Sequence, residues 1–451
     1  MNTGANSRKP VVILHGYSDH SSSFQPLARF LSDNGFKIVD LWLADYLSMF
    51  DELSIHDLGQ AMGKALIDQG IPQLPKSFDL IAHSTGGLVV RSYLAQYYYG
   101  HPDKCPINHL LLLAPANFGS PLATLGKSML GRIFNGRDWD HLFQTGTRIL
   151  QALELASPIS WELARTDLFD PQNPLFMPKN IYTTVLIGSE SYGGLKDLTY
   201  ENGSDGTVRV SAANLNARYY RLNFQPFNVP LLEEIPRQYE PIAFGVLYGF
   251  NHGSIVNPLN SNQDASPLGE IILNSLQIDS EQAYQEHIGR LAAMTERTFI
   301  TGQSHANLKN QSYHEYQNFI VRVYDQYKEM IPDYFLEFFQ KDDPDDKVMD
   351  KIHSEILEKV RVYSEDASHR SFLFDITDLK KEILDKGGEV SLNITVAAKS
   401  KRISYCNPQQ ALLVASQGEN LFITPNATTF FDIKIDRLQS SEVFKLKKFI
   451  P

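Results

Sequence analysis

The first half of this chain alternates short apolar blocks with amphipathic stretches. Residues 11–14 read Val-Val-Ile-Leu with no polar interruption, the pattern of a strand buried on both faces of a parallel sheet. Further segments read as strands, largely apolar, lie at 37–43, 78–82, 109–114, 182–188 and 244–250. Strands alternating with helical segments predict an α/β fold with a mostly parallel sheet and crossover helices. Between 116 and 178 this rhythm stops, and an insertion there predicts a cap over the sheet. Within it Leu122, Leu125, Met129, Leu130, Ile133 and Phe134 share one helical face. Such a face either packs on its own domain or forms a lid turned toward lipid. A helix over 268–276 closes a first domain at 1–279, and a polar helix over 280–297 leads onward. From 298 to 451 short extended runs dominate (318–324, 359–363, 372–376, 390–397, 411–414, 430–435), several alternating apolar and polar residues. They predict a smaller, β-rich, sandwich-like C-terminal domain.

Charge and cysteine content narrow the function classes. The 451 residues carry a net charge of −11 with no long basic stretch, so nucleic acid is not an expected partner. Cys105 and Cys406 are the only two cysteines, which argues against a disulfide framework. Residues 1–9 are polar and the first strand follows at once, so no secretory signal peptide is expected. No apolar run approaches the ~20 residues that span a bilayer, and any membrane contact is expected to be peripheral. The acidic cluster from Asp342 to Asp346 lacks the spaced ligands and glycine of a calcium loop and reads as a solvated turn. Val443 to Ile450 mixes basic and apolar residues. That tail either touches a membrane or partner subunit or ends the fold as a solvated strand.

Candidate chemistry centres on Ala82-His83-Ser84-Thr85-Gly86-Gly87, between a predicted strand and a predicted helix. A sharp strand-to-helix turn lifts a serine hydroxyl out of the sheet, and small residues on either side let strand and helix approach. Ala82 stands where glycine is usual, so the elbow is a variant. In such sheets the order is nucleophile, acid, histidine. After the strand at 182–188 comes a polar loop with Asp197 and then Gly203-Ser204-Asp205-Gly206-Thr207-Val208. Asp205 is preferred as the acid for its Asp-Gly-x-Val setting before an extended run, although a plain Asp-Gly turn reads the same locally. His252 follows the strand at 244–250 and is the candidate base. His287 falls in a polar helical stretch, and His15 and His83 lie too early and read as residues lining the site. His15-Gly16-Tyr17 turns at the end of the first strand, so the backbone N–H groups of Tyr17 and Thr85 are the expected oxyanion donors. No metal or organic cofactor is implied.

These segments resemble the serine lipase branch of the α/β-hydrolase fold. The phrases Ala82 to Arg91 and Leu111 to Leu122 look like those of the PlaB family of bacterial phospholipases A, which also carry a His-Ser-Thr-Gly elbow. The resemblance runs from about Pro10 to Val256. It implies Ser84 as nucleophile, Asp205 as acid and His252 as base, with hydrolysis of acyl esters of phospholipids and lysophospholipids. It also implies peripheral association with membranes and self-association into a homo-oligomer. A lipid acyltransferase would use the same triad. A non-catalytic lipid-binding protein on this fold would have a defective one.

Overall fold

The structure, a computed structural model, describes residues 9–15, 24–36, 41–44, 50–125, 146–192, 201–225, 230–237, 241–259, 265–308, 313–341, 343, 345–398, 402–406, 408, 410–416, 418, 421–441 and 443–448. Two units emerge: Met1–Ala217 with Arg237–His314, and Arg218–Pro236 with Glu315–Pro451. In chain order the first strands are β1 (Val11–Leu14), β2 (Leu41–Ala44), β3 (Phe78–His83), β4 (Ile107–Leu113), β5 (Tyr182–Gly188), β6 (Arg218–Phe224), β7 (Leu231–Ile235) and β8 (Ala243–Leu247).

The first unit is built on a six-stranded sheet in the order β2-β1-β3-β4-β5-β8, parallel throughout. Every residue of β1, β3 and β4 is buried, as their uninterrupted apolar runs require. The helices include α1 (Gln25–Asp33), α2 (Ile55–Asp68), α3 (Gly86–Tyr97), α4 (Thr147–Leu153), α5 (Pro158–Asp167), α6 (Leu268–Ser275) and α7 (Glu281–Leu308). Helix α2 starts at a capping box: Ser54 Oγ accepts from Asp57 N–H, and Asp57 Oδ2 accepts from Ser54 N–H. Helices α4 and α5 belong to the insertion expected at 116–178. Met129, Leu130, Ile133 and Phe134 of the expected lid face lie outside the described residues. Arg91 of α3 and Asp167 of α5 are both fully buried and form a bidentate pair at 2.7 and 3.0 Å, while Arg91 Nη1 donates to the Asn117 carbonyl.

Helix α7 extends past the 280–297 segment read as a connector, and it stays with the first unit. Its polar side chains bond to strand backbone: Tyr284 Oη donates to the Thr183 carbonyl at 2.6 Å, and Thr295 Oγ1 accepts from Val246 N–H at 3.0 Å. His287 is buried beside Thr184 and Ser275.

The second unit adds β9 (Tyr316–Tyr324), β10 (Tyr334–Phe339), β11 (Leu357–Val362), β12 (His369–Asp375), β13 (Val390–Val396), β14 (Ile403–Tyr405), β15 (Leu412–Ala415), β16 (Thr428–Ile435) and β17 (Arg437–Gln439). A mixed sheet β11-β12-β9-β16-β6-β7 and an antiparallel sheet β10-β13-β15 share one core that includes Phe224, Phe319, Val321, Phe338, Leu392 and Ile433. The expected sandwich-like arrangement is present, with one departure in its limits. Residues 218–236, placed by sequence within the first domain, form β6 and β7 of this unit. Tyr220, Leu222 and Phe224 alternate into its core, β6 pairs in parallel with β16, and Tyr219 Oη donates to Asp432 Oδ2 at 3.0 Å.

Candidate active site

Ser84 sits at the junction of β3 and α3 with a φ of +54°, in the left-handed region that non-glycine residues avoid. Its neighbours enforce this turn. Ser84 N–H donates to the Leu113 carbonyl, and the Ser84 carbonyl accepts from Gly87 and Ala116 N–H. A Cβ at Gly86 would lie 2.9 Å from the His15 carbonyl oxygen and 3.2 Å from that of Leu14, so the helix can start this close to the end of β1 only with glycine there. Thr85 precedes α3 and is buried. Among the described residues its N–H makes no hydrogen bond. Helix α3 thus begins directly after Ser84, with the positive end of its dipole on that side. Tyr17, the other expected donor, lies outside the described residues, as does Asp197.

The structure brings Ser84, His252 and Asp205 together. Ser84 Oγ–H donates to His252 Nε2 at 2.9 Å, and His252 Nδ1–H donates to Asp205 Oδ2 at 2.9 Å. All three are buried; Ser84 keeps 8 % exposure. The two loops that carry acid and histidine are tied to each other, since His252 N–H donates to the Asp205 carbonyl at 2.9 Å. Asp205 Oδ1 accepts from Thr207 and Val208 N–H at 3.0 and 2.8 Å, which leaves Oδ2 facing the imidazole. A buried Arg209–Glu201 pair at 2.9 Å closes the base of that loop. On the other side Asn251 Oδ1 accepts from Gly253 and Ser254 N–H. Gly188, at the end of β5, is needed for a close approach, because a Cβ there would lie 2.2 Å from the Phe250 carbonyl oxygen just before this loop. Each polar atom is held before any substrate arrives, which is the preorganisation that hydroxyl activation requires.

His83 was legible only as a residue lining the site. Its Nε2–H donates to the His252 carbonyl at 3.0 Å, and the two rings lie 4.7 Å apart. Burial holds the His83 ring well below the ordinary histidine range, and the nearby His252 and His15 act in the same direction. A pocket of about 30 Å³ opens directly beside Ser84, and its apolar wall includes Ala116, Leu122, Leu150 and Leu153.

The profile of the Alpha/beta hydrolase family matches residues 11–375. Phospholipase PlaB from Legionella pneumophila, solved in complex with thio-NAD, is similar to this chain at 25 % identity and a TM-score of 0.82. The match covers 98 % of this chain and 97 % of that one. A second structure of phospholipase PlaB from Legionella pneumophila matches at 24 % identity and a TM-score of 0.83, over 99 % of this chain and 97 % of that one. No curated protein matches the chain by sequence. With two thirds of its length and more under the family profile, and with the six parallel strands in place, the chain belongs to the alpha/beta hydrolase family.

Proposed function

We propose that this hydrolase cleaves acyl esters of phospholipids and lysophospholipids through an acyl-serine intermediate. The observation that carries the reading is the continuous hydrogen-bond chain from Ser84 through His252 to Asp205 beside an apolar pocket. His252 takes the Ser84 proton as the hydroxyl oxygen attacks the ester carbonyl carbon, and Asp205 stabilises the imidazolium that forms. The oxyanion is met by the N–H of Thr85 and, as the chain order after the first strand implies, by that of Tyr17. Collapse of the tetrahedral intermediate expels the alcohol, protonated by His252. Water, deprotonated by the same ring, then releases the fatty acid and restores Ser84. No metal or organic cofactor enters this sequence.

Two further supports bear on the substrate. The structure matched at 25 % identity is that of a phospholipase. Phe444 and Leu446 are 78 % and 88 % exposed next to Lys445 and Lys447, a combination suited to peripheral contact with a bilayer. No described helix is long and apolar enough to cross a membrane. Self-association of the chain belongs to the same reading and rests on the family resemblance alone.

The test is mass spectrometry of products from defined diacyl phospholipids and their lyso forms, with the wild type and Ser84→Ala side by side. Release of fatty acid by the wild type and its loss in a folded Ser84→Ala variant is the expected result. Equal release by both would remove Ser84 from the chemistry. A wild type that cleaves a soluble ester but neither lipid would remove the substrate assignment.

A further inference from the structure

The first unit holds a second, larger cavity of about 430 Å³, lined by residues at the ends where β1, β3, β4 and β5 begin. Ser84 follows the other end of β3. Asp79 lines the cavity, so the two regions lie roughly 16 Å apart at ~3.3 Å per extended residue. The cavity floor is a closed polar network. Asp79 Oδ1 accepts from the His109 N–H at 3.2 Å and lies 2.8 Å from His109 Nδ1, while His109 Nε2–H donates to the Ile278 carbonyl at 2.7 Å.

Two lysines are left with unused capacity. Lys76 Nζ donates to the Pro178 carbonyl at 2.8 Å and stands 4.2 Å above the Tyr182 ring, which occupies one of its three donors. Lys9 has no hydrogen-bond or ion-pair partner among the described residues. Burial lowers both ammonium groups from their ordinary value, and the charge of Lys9 lowers Lys76 further. Asp79, whose charge acts on Lys9 in the opposite sense to burial, already accepts at Oδ1 from His109 N–H and Asn108 Nδ2–H, so the two half-buried cations repel each other beside a carboxylate oxygen that is taken. Asp279 at the rim is exposed, so water screens it. Phe36 and Leu276 add apolar wall. The volume is in the ~300–1,000 Å³ range of small-molecule sites and far exceeds that of a single ion.

We propose that this cavity is a binding site, separate from the Ser84 site, for a phosphomonoester whose phosphate sits between Lys9 and Lys76. A dianion there supplies acceptors to both ammonium groups and relieves their repulsion, while the organic body rests on Phe36 and Leu276. The same terminal phosphate occurs on a free metabolite and on an anionic lipid headgroup.

Titration calorimetry of the full chain with inorganic phosphate and with sn-glycerol 3-phosphate, beside co-sedimentation with phosphatidate and phosphatidylcholine vesicles, separates the two sources. Saturable binding that falls about tenfold in Lys9→Gln and in Lys76→Gln is expected, from the loss of one charge-assisted contact. Ser84→Ala is expected to bind as the wild type does. Lysine-dependent binding of the soluble probes alone assigns a free phosphomonoester, and lysine-dependent sedimentation with phosphatidate assigns the lipid headgroup. Among the described residues Lys9 makes no hydrogen bond or ion pair, so its variant keeps the test decisive if Lys76→Gln fails to fold. Absence of saturable heat up to about 10 mM probe together with no phosphatidate-dependent sedimentation overturns the proposal. Binding unchanged in Lys9→Gln also overturns it.

Discussion

The His83 ring is tied to the backbone of His252: His83 Nε2–H donates to the His252 carbonyl at 3.0 Å. The residue before the serine thus holds the loop that carries the histidine, and β3 reaches both partners of the Ser84–His252 bond. Because the His83 ring is pushed well below the ordinary histidine range by burial first and by His252 second, it is neutral at physiological pH. A neutral neighbour does not oppose the positive charge that His252 acquires when it takes a proton.

His83→Leu keeps the bulk but removes the donor, while His83→Gln places an amide N–H near the same point. Turnover is expected to fall by about tenfold to a hundredfold in the leucine variant, the scale of a misplaced catalytic group, with most of it regained in the glutamine variant. Both kcat and the acid limb of the pH profile are to be measured. Equal activity in the two variants would refute the positioning role.

Asp205→Asn is expected to leave the loop intact, since the side-chain oxygen can still accept from Thr207 and Val208 N–H. The amide then faces His252 Nδ1 with a donor and favours the wrong tautomer. A loss in kcat on the scale of ~10⁴ is expected, read with a soluble ester beside an unchanged melting temperature. A loss of only a few-fold would show that Asp205 is not the acid.

The pair Arg91–Asp167 is fully buried on both sides. Arg91→Leu strands the Asp167 carboxylate and is expected to destabilise the fold by ~3–5 kcal/mol. Burial already pushes the Asp167 carboxyl upward even beside Arg91, so in the variant it takes up a proton. Adding Asp167→Leu should restore much of the loss. Trp161, in the same helix as Asp167, reports the transition by fluorescence in urea. A single variant as stable as wild type would contradict this account.

His287 is lowered to about 4, first by burial and then by the charge of Arg290. Its folded value lies below the unfolded value of ~6.5, so protonation favours the unfolded chain. The stability it contributes is complete above pH ~6.5 and is lost as pH falls toward 4, at most about 3 kcal/mol. His287→Gln keeps a polar partner for Ser275 and Thr184. The drop in melting temperature between pH 7 and 4.5 should therefore shrink, though His83 titrates in the same direction. An unchanged drop would place the acid sensitivity elsewhere.

The parts of the fold legible in the sequence are those where burial is total. Six runs marked the six parallel strands, most plainly β1, β3 and β4, where every residue is buried and no polar side confuses the pattern. Ser84, Asp205 and His252 were named from their positions after successive strands, and those ends lie side by side in any parallel sheet. What escaped notice depends on partners far away in the chain. Helix α7 reads as polar and exposed, yet Tyr284 and Thr295 spend that polarity on strand backbone. Tyr334 to Phe339 was not marked as a strand because its apolar residues alternate only weakly with polar ones. His83 bonds to a carbonyl, which no side-chain motif can announce. Strand β6 gained its assignment from β16, which no local pattern around 218–224 reveals.

That last pairing carries a consequence for how the protein is made. Asp205 and His252 bracket a segment, 218–236, whose inner strand has β7 on one side and β16 on the other. During synthesis β6 leaves the ribosome long before its second neighbour exists, with an open sheet edge until nearly the whole chain has emerged. A chain cut after α7 would keep Ser84, Asp205 and His252 yet strand that hairpin between the last two without its sheet. The C-terminal residues are thus a late-arriving clamp on the segment between acid and histidine, and nascent chains are exposed to mispairing until the clamp closes.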